Sequence, residues 1–225
     1  MISVDKLTFS YTGGPPYVLE NLSLTIAGGE YVSIVGDNGS GKSTLLRLLL
    51  RLLRPTGGTI EVGAKRVGYV PQKTDAALSQ FPITVRETLD SYRRILGVRQ
   101  RQAVDECLAQ VGMAHAAGQL MGNLSGGQHQ KILIARSLLG SPDLILLDEP
   151  STGVDRDSQG EIYGLLAHMN REEGRTIVSV EHNLEAAVAH STLIYHLSEG
   201  RGHLCSPEQY AAEYLKTVKK EDPHA

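Results

Sequence analysis

Apolar and polar residues alternate through the first part of the chain. Ile2, Val4, Leu7, Phe9 and Tyr11 mark residues 2–11 as an antiparallel strand, and residues 18–26 form a second one after the turn Thr12-Gly13-Gly14-Pro15-Pro16. Ala27-Gly28-Gly29 closes it. Residues 31–35 are apolar almost throughout, the mark of a strand buried on both faces. A leucine-rich helix follows and ends at Arg54-Pro55. Strands are then expected over residues 59–62 and 66–70, the second stopping at Pro71-Gln72. From Lys73 to about Gly140 the period changes to that of helices, with candidates at residues 84–96, 100–111 and 126–139. In the second of these, Val104, Cys107, Leu108 and Val111 fall at i, i+3, i+4 and i+7. Strands return at residues 144–147, 176–180 and 192–197, separated by helices near 159–170 and 184–190. This alternation predicts a parallel sheet covered by helices. Ser206-Pro207-Glu208-Gln209 reads as a capping box opening a short helix, and residues 219–225 as a polar, frayed end.

The chemistry concentrates where the buried strand meets the leucine-rich helix. Gly36-Asp37-Asn38-Gly39-Ser40-Gly41-Lys42-Ser43 fits the P-loop pattern G-x-x-x-x-G-K-[ST] at every fixed position. Glycines let successive N–H groups turn inward toward phosphate oxygens, and the helix beginning near Lys42 adds the positive end of its dipole. Lys42 can reach the β/γ-phosphates, and the Ser43 hydroxyl can ligate Mg²⁺. The apolar run Leu144-Ile145-Leu146-Leu147 ends in Asp148 and Glu149. In open α/β sheets ligands sit beyond the carboxyl ends of strands, so both acids are expected beside the P-loop. Asp148 suits a cation-holding role, and Glu149, pointing another way on the pleat, can polarise a water. Leu124-Ser125-Gly126-Gly127-Gln128 precedes a helix and reads either as a second anion-binding terminus or as an ordinary Ser-capped turn.

Bulk properties narrow the setting. With 225 residues and 41% hydrophobic content the chain can bury a sizeable core. A net charge of −3 and a pI near 6.2 give no global basic field for nucleic acid or anionic lipid. Two cysteines, Cys107 and Cys205, without C-x-x-C spacing point to a reducing compartment. No signal peptide opens the sequence, and residues 45–53 are too short to span a bilayer, so a soluble chain is expected, with any membrane spans supplied by a partner. His196, His203 and Cys205 form a loose cluster whose spacing matches no recognised metal site.

Taken in order, the P-loop (Walker A), Leu124–Gln128, the Asp148-Glu149 strand (Walker B) and Ser151-Thr152-Gly153-Val154-Asp155 resemble an ABC transporter ATP-binding subunit over nearly the whole chain. The resemblance implies an α/β P-loop core with a parallel sheet, an N-terminal antiparallel β subdomain and an inserted α-helical subdomain. The core would comprise residues 1–72 and 141–225, and the helical part residues 73–140. ATP and Mg²⁺ are the implied ligands. ATP would be held by Tyr11, Gly36, Asn38, Gly39, Ser40, Gly41, Lys42, Ser43 and Thr44, with Tyr11 stacking on adenine. Ser125, Gly126, Gly127, Gln128 and Asp155 would complete the site across a homodimer that closes on ATP. Mg²⁺ would be held by Ser43, Gln72 and Asp148, and hydrolysis carried by Lys42, Gln72, Glu149 as base and His182 as the switch histidine. The sequence departs from the family at Asp37, at His129 and in Glu181-His182-Asn183.

The segment Ser79-Gln80-Phe81-Pro82-Ile83-Thr84-Val85 resembles one found in ATPases of zinc and manganese importers, and the ending Gly153-Val154-Asp155 points the same way. The implied partners are an integral membrane permease and an extracytoplasmic metal-binding protein, with the chain peripheral on the cytoplasmic face and no nucleic acid involved. An ABC ATPase for another substrate, such as cobalt or nickel, is the alternative, followed by a soluble ABC ATPase working on nucleic acid.

Overall fold

The computed structural model describes residues 1–72 and 81–215. The expected onset of helix at residues 73–80, with Ser79 and Gln80, and the frayed end at residues 219–225 lie outside the described residues.

Strands β1 (Ile2–Phe9), β2 (Leu19–Ile26) and β4 (Gly57–Val62) form an antiparallel sheet in the order β2-β1-β4. The step of three from Val4 to Leu7 has a physical cause. The β1–β2 register shifts between these two residues, and Lys6 sits at φ 48°. An irregularity there carries Leu7 back to the buried face, so Ile2, Val4, Leu7 and Phe9 are all buried.

The second sheet holds six strands in the order β5-β6-β7-β3-β8-β9, comprising β3 (Tyr31–Val35), β5 (Val67–Val70), β6 (Leu144–Asp148), β7 (Thr176–Val180), β8 (Leu193–Ser198) and β9 (Arg201–Cys205). All neighbours are parallel except β8 and β9. Every residue of β3, β6 and β7 is buried, because both faces of the sheet are covered. The alternation that β6 hides in its sequence appears in its packing. Leu144 and Leu146 join the core beneath α1 (Lys42–Leu49) and the antiparallel sheet, while Ile145 and Leu147 join the core made with the inserted helices. Each such side chain contributes about 1.5–3 kcal/mol on burial.

Helices α2 (Val85–Ile95), α3 (Ala103–Gln110) and α4 (Gly126–Leu138) lie between β5 and β6 in sequence, α5 (Arg156–Arg171) between β6 and β7, and α6 (Leu184–His190) between β7 and β8. The short α7 (Pro207–Tyr210) opens with the expected Ser206–Gln209 capping box. The structure differs from expectation in several places. Helix α1 closes at Leu49, short of Arg54-Pro55, with Arg51 at a positive φ of 58° just after it. Strand β1 stops at Phe9 rather than Tyr11, and α3 begins at Ala103 rather than at residue 100. Helix α5 starts at Arg156, three residues before Gln159, because the Asp155 carboxylate accepts from Ser158 N and caps it. Strand β9 was not expected at all. It returns beside β8 through Glu199 and Gly200, both at positive φ (48° and 74°), which is hairpin geometry without the usual Asn-Gly signal. Among the described residues no helix is long and apolar enough to cross a membrane.

Candidate nucleotide site

Four parallel strands deliver their carboxyl ends to one edge: β5 ends before Gln72, β3 before Gly36, β6 at Asp148 and β7 before Glu181. The loop after β3 passes against the backbone of β8. Gly36 has φ 148°, and a Cβ there would lie 1.9 Å from the carbonyl oxygen of Leu197, so only glycine fits. Helix α1 then begins at Lys42 with no side-chain cap and no acid in its first turn, which leaves its N–H groups and dipole for an anion. Ser40 Oγ is buried with no hydrogen-bond partner. A buried hydroxyl with no protein partner, beside the uncapped N-terminus of α1, fits a phosphate cradle.

Lys42 is 5% exposed and donates from Nζ to the carbonyls of Gly36 and Asp37, both at 2.8 Å. Burial lowers its pKa, against the opposing pull of Glu149, Asp37 and Asp148. Ser43 Oγ donates to Asp148 Oδ1 at 3.1 Å. Asp148 is 4% exposed, and burial raises its pKa despite that bond, with the neighbouring Glu149 charge adding to the rise. The Ser43–Asp148 pair, hard oxygens around a carboxylate short of positive charge, fits a divalent cation such as Mg²⁺.

Glu149 lies past the end of β6 at φ 52°, so a left-handed residue, and not the pleat, aims its side chain. Such a conformation costs about 1–3 kcal/mol in a residue with a Cβ and persists where surroundings hold it. Here they do. Oε1 meets His182 Nε2 at 2.7 Å, and Oε2 accepts from Gln72 Nε2 at 2.5 Å and Thr152 Oγ1 at 3.0 Å. Burial alone would push this carboxyl up, but the bonds from His182, Thr152 and Gln72 outweigh it and hold the pKa below the usual carboxylate range. Two adjacent acids are thus driven in opposite directions.

The geometry brings together Lys42, Ser43, Gln72, Asp148, Glu149 and His182. Tyr11 is 60% exposed at the rim and tied through its hydroxyl to Thr44 Oγ1 at 3.1 Å, an open face beside the loop. The Asp37 charge acts on His196 and Tyr210 as well as Lys42, consistent with a side chain directed toward β8 and α7. Gly39 and Gly41 take positive φ in the loop, and Asn38 is exposed. The signature residues are not brought to this cluster by any hydrogen bond among the described residues. Ser125 caps α4 in a reciprocal box with Gln128, and Ser125 and Gly126 are exposed. Gly127 is buried, and a Cβ on it would lie 2.4 Å from Ser158 Cβ, so α4 and α5 approach closely here. Asp155 serves α5 as its cap. His196 faces His203 across β8–β9 with ring centroids 5.5 Å apart, and no group of three or more His, Cys, Asp or Glu among the described residues could hold a metal.

Sequence reasoning missed three contributors: Thr152, which bonds Glu149, and Ser151 with Tyr163, which reach Glu181. The spacing of Thr152, three residues after Glu149, was the available signal.

Comparison with known proteins agrees with this geometry. The family described as ABC transporter matches residues 19–152. A probable metal transport system ATP-binding protein of Treponema pallidum (strain Nichols) is 50% identical over 220 residues, covering 98% of this chain and 92% of the relative. A zinc import ATP-binding protein, ZnuC, of Paramagnetospirillum magneticum (strain ATCC 700264 / AMB-1) is 40% identical over 195 residues, covering 85% and 71%. The dimeric post-hydrolysis structure of the ATP-binding cassette MJ0796, bound to ADP and Pi, superposes with a TM-score of 0.76 at 29% identity, over 92% of this chain and 99% of that one. With a P-loop, paired acids and a histidine gathered at one sheet edge, and with relatives of this similarity, the chain belongs to the ABC transporter family.

Proposed function

We propose that this ABC-family ATPase binds and hydrolyses ATP to power a membrane transporter that imports a divalent metal such as zinc or manganese. The observation that carries the catalytic part is the set of bonds on Glu149. Both of its oxygens are engaged, by His182 on one side and by Gln72 and Thr152 on the other. A γ-phosphate offers His182 an alternative acceptor, and a cation beside Ser43 and Asp148 would draw in the carbonyl oxygen of Gln72 and so turn its amide away from Glu149. Each bond withdrawn from Glu149 raises its pKa and makes it a stronger proton acceptor for an attacking water. Lys42 leaves the two loop carbonyls for the phosphates and stabilises their charge. Ser43, Asp148 and Gln72 would hold Mg²⁺, which supplies positive charge to the phosphate oxygens when bound.

The exposed Ser125 and Gly126, at the N-terminus of α4 with no acid in its first turn, support their role in closing a second copy's site, with Gly127, Gln128 and Asp155 around them. The dimeric state of the MJ0796 cassette bound to ADP and Pi supports the same arrangement. The names of the Treponema and Paramagnetospirillum relatives support metal, and zinc in particular, as cargo. They favour it over cobalt or nickel, and over a nucleic-acid role. Phe81, 64% exposed just before the capped start of α2, supports docking to a permease on the cytoplasmic side of the membrane, with an extracytoplasmic metal-binding protein feeding it. The division into a core of residues 1–72 and 141–225 and a helical part of residues 73–140 belongs to the same reading.

The experiment is Glu149→Gln. ATP affinity should stay within a few-fold, while turnover falls by about 10²–10⁴, the usual worth of a positioned base. Turnover at the wild-type rate would refute the role of Glu149. Uptake of radioactive zinc and manganese into cells with and without the chain tests the cargo, and unchanged uptake of both sinks that part alone.

A further inference from the structure

Glu181 is 1% exposed, and no cation is bonded to it among the described residues. Burying a carboxylate this way is costly, and a serine or threonine at the end of β7 would avoid the cost. What the carboxylate does is visible in its bonds. Oε1 accepts from Ser179 Oγ, and Oε2 accepts from Tyr163 Oη at 2.7 Å. Tyr163 Oη lies also 2.8 Å from Ser151 Oγ. The backbone N of Glu181 donates to the carbonyl of Ile34, two residues before Gly36. Tyr163 itself stacks on His190 at the end of α6, with ring planes 7° apart and centroids 5.5 Å apart.

A tyrosine has one hydroxyl hydrogen. While it is ionised Glu181 can only accept, so Tyr163 then points that hydrogen at Glu181, and Ser151 donates into the Tyr163 oxygen. The carboxylate therefore fixes the direction of a chain of three hydrogen bonds, running Ser151 to Tyr163 to Glu181, with Ser179 donating from the other side. At one end of this chain is the residue before His182. At the other is the residue before Thr152, which donates to Glu149. The two segments that meet on Glu149 from opposite sides are thus tied together a second time, through buried side chains.

We propose that Glu181 and Tyr163 are a positioning pair that holds the His182 segment and the Ser151–Thr152 segment in the one relative placement that serves hydrolysis. This rests on the roles proposed above for Glu149 and His182. Glu181 and Tyr163 touch no reacting atom, so their loss should be felt in the rate and not in nucleotide binding. Groups facing Glu181 from the surrounding elements are Tyr163 on α5, Tyr31 on β3 and Glu149 beyond β6.

The test compares wild type, Glu149→Gln, Tyr163→Phe, Glu181→Gln and the double variant as full-length chains, measuring ATP turnover with Mg²⁺, nucleotide affinity with a fluorescent ATP analogue, and melting temperature. Each of Tyr163→Phe and Glu181→Gln should lower kcat by about tenfold, the worth of one charge-assisted hydrogen bond, with KM within about twofold. The double variant should be no slower than the slower single one, because the two act as a unit. Singles at the wild-type rate, or losses that multiply in the double variant, overturn the pair. So does a rise in KM at unchanged kcat. A Glu149→Gln that hydrolyses like wild type instead overturns the site reading and this inference with it.

Discussion

Replacing Ser43 with alanine deletes one oxygen atom and tests the cation site directly. The buried Asp148 loses the donor 3.1 Å from its Oδ1. Hydrogen bonds to charged groups are worth about 1.5–3 kcal/mol, and one this long for a hydroxyl donor belongs at the low end. At about 2–4 °C per kcal/mol for a chain of this size, a loss of about 1.5 kcal/mol lowers Tm by about 3–6 °C. The pH dependence has a definite sign. Burial raises the folded pKa of Asp148 above its unfolded value, so its ionisation already works against the fold. The group's stabilising contribution is greatest below the unfolded pKa and is lost as pH rises through the folded one. Removing the Ser43 donor moves the folded pKa further up, so the stability gap between wild type and variant is wide near neutral pH and closes in acid, where Asp148 is protonated in both. ATP affinity should fall in the presence of Mg²⁺ and change little in EDTA. Melting curves across pH, with nucleotide titrations in both buffers, check this. An equal loss of affinity in EDTA, or a Tm gap that persists unchanged in acid, refutes the reasoning.

Two further outcomes are expected. Tyr11→Ala should leave the melting temperature almost unmoved, since the ring is largely exposed, and weaken ATP by about 1–3 kcal/mol, the worth of one stacked base; inorganic triphosphate, which has no base, should bind as before, and an equal loss for both ligands argues against stacking. Glu181 titrates near 7 in the folded protein because burial raises it, against about 4.5 as its ordinary value. Folded protein therefore holds the extra proton between these values, and stability should fall by up to about 1.4 kcal/mol per pH unit as pH rises through that window. Glu181→Gln should flatten that part of the profile in denaturant titrations, and an unaltered slope would show that the carboxyl is not its source.

The strands were legible because burial left its period in them. Ile2 to Phe9 could be seen facing a core, and the unbroken apolar runs of β3, β6 and β7 announced coverage on both faces. The P-loop and the acids were legible because their chemistry tolerates few alternatives. Strand β9 was not, since Arg201, His203 and Leu204 are exposed and Glu199-Gly200 lacks a strong turn signal. The partners of Glu149 were only half visible. Gln72 and His182 stand in motifs, but their meeting on one carboxylate depends on the order β5-β6-β7 in the sheet, which no local pattern encodes. The Ser151–Tyr163–Glu181 chain was hidden for the same reason, because its members are 12 and 18 residues apart and on different elements.

The two carbonyls that hold Lys42 give the loop a property of its own. An ammonium surrendering Gly36 and Asp37 must receive oxygens in exchange, or it is left buried and bare. Phosphates that extend as far as Lys42 can make that trade. A nucleoside monophosphate, whose single phosphate ends short of it, offers nothing in return. The loop thus measures the length of its ligand by what its own lysine stands to lose.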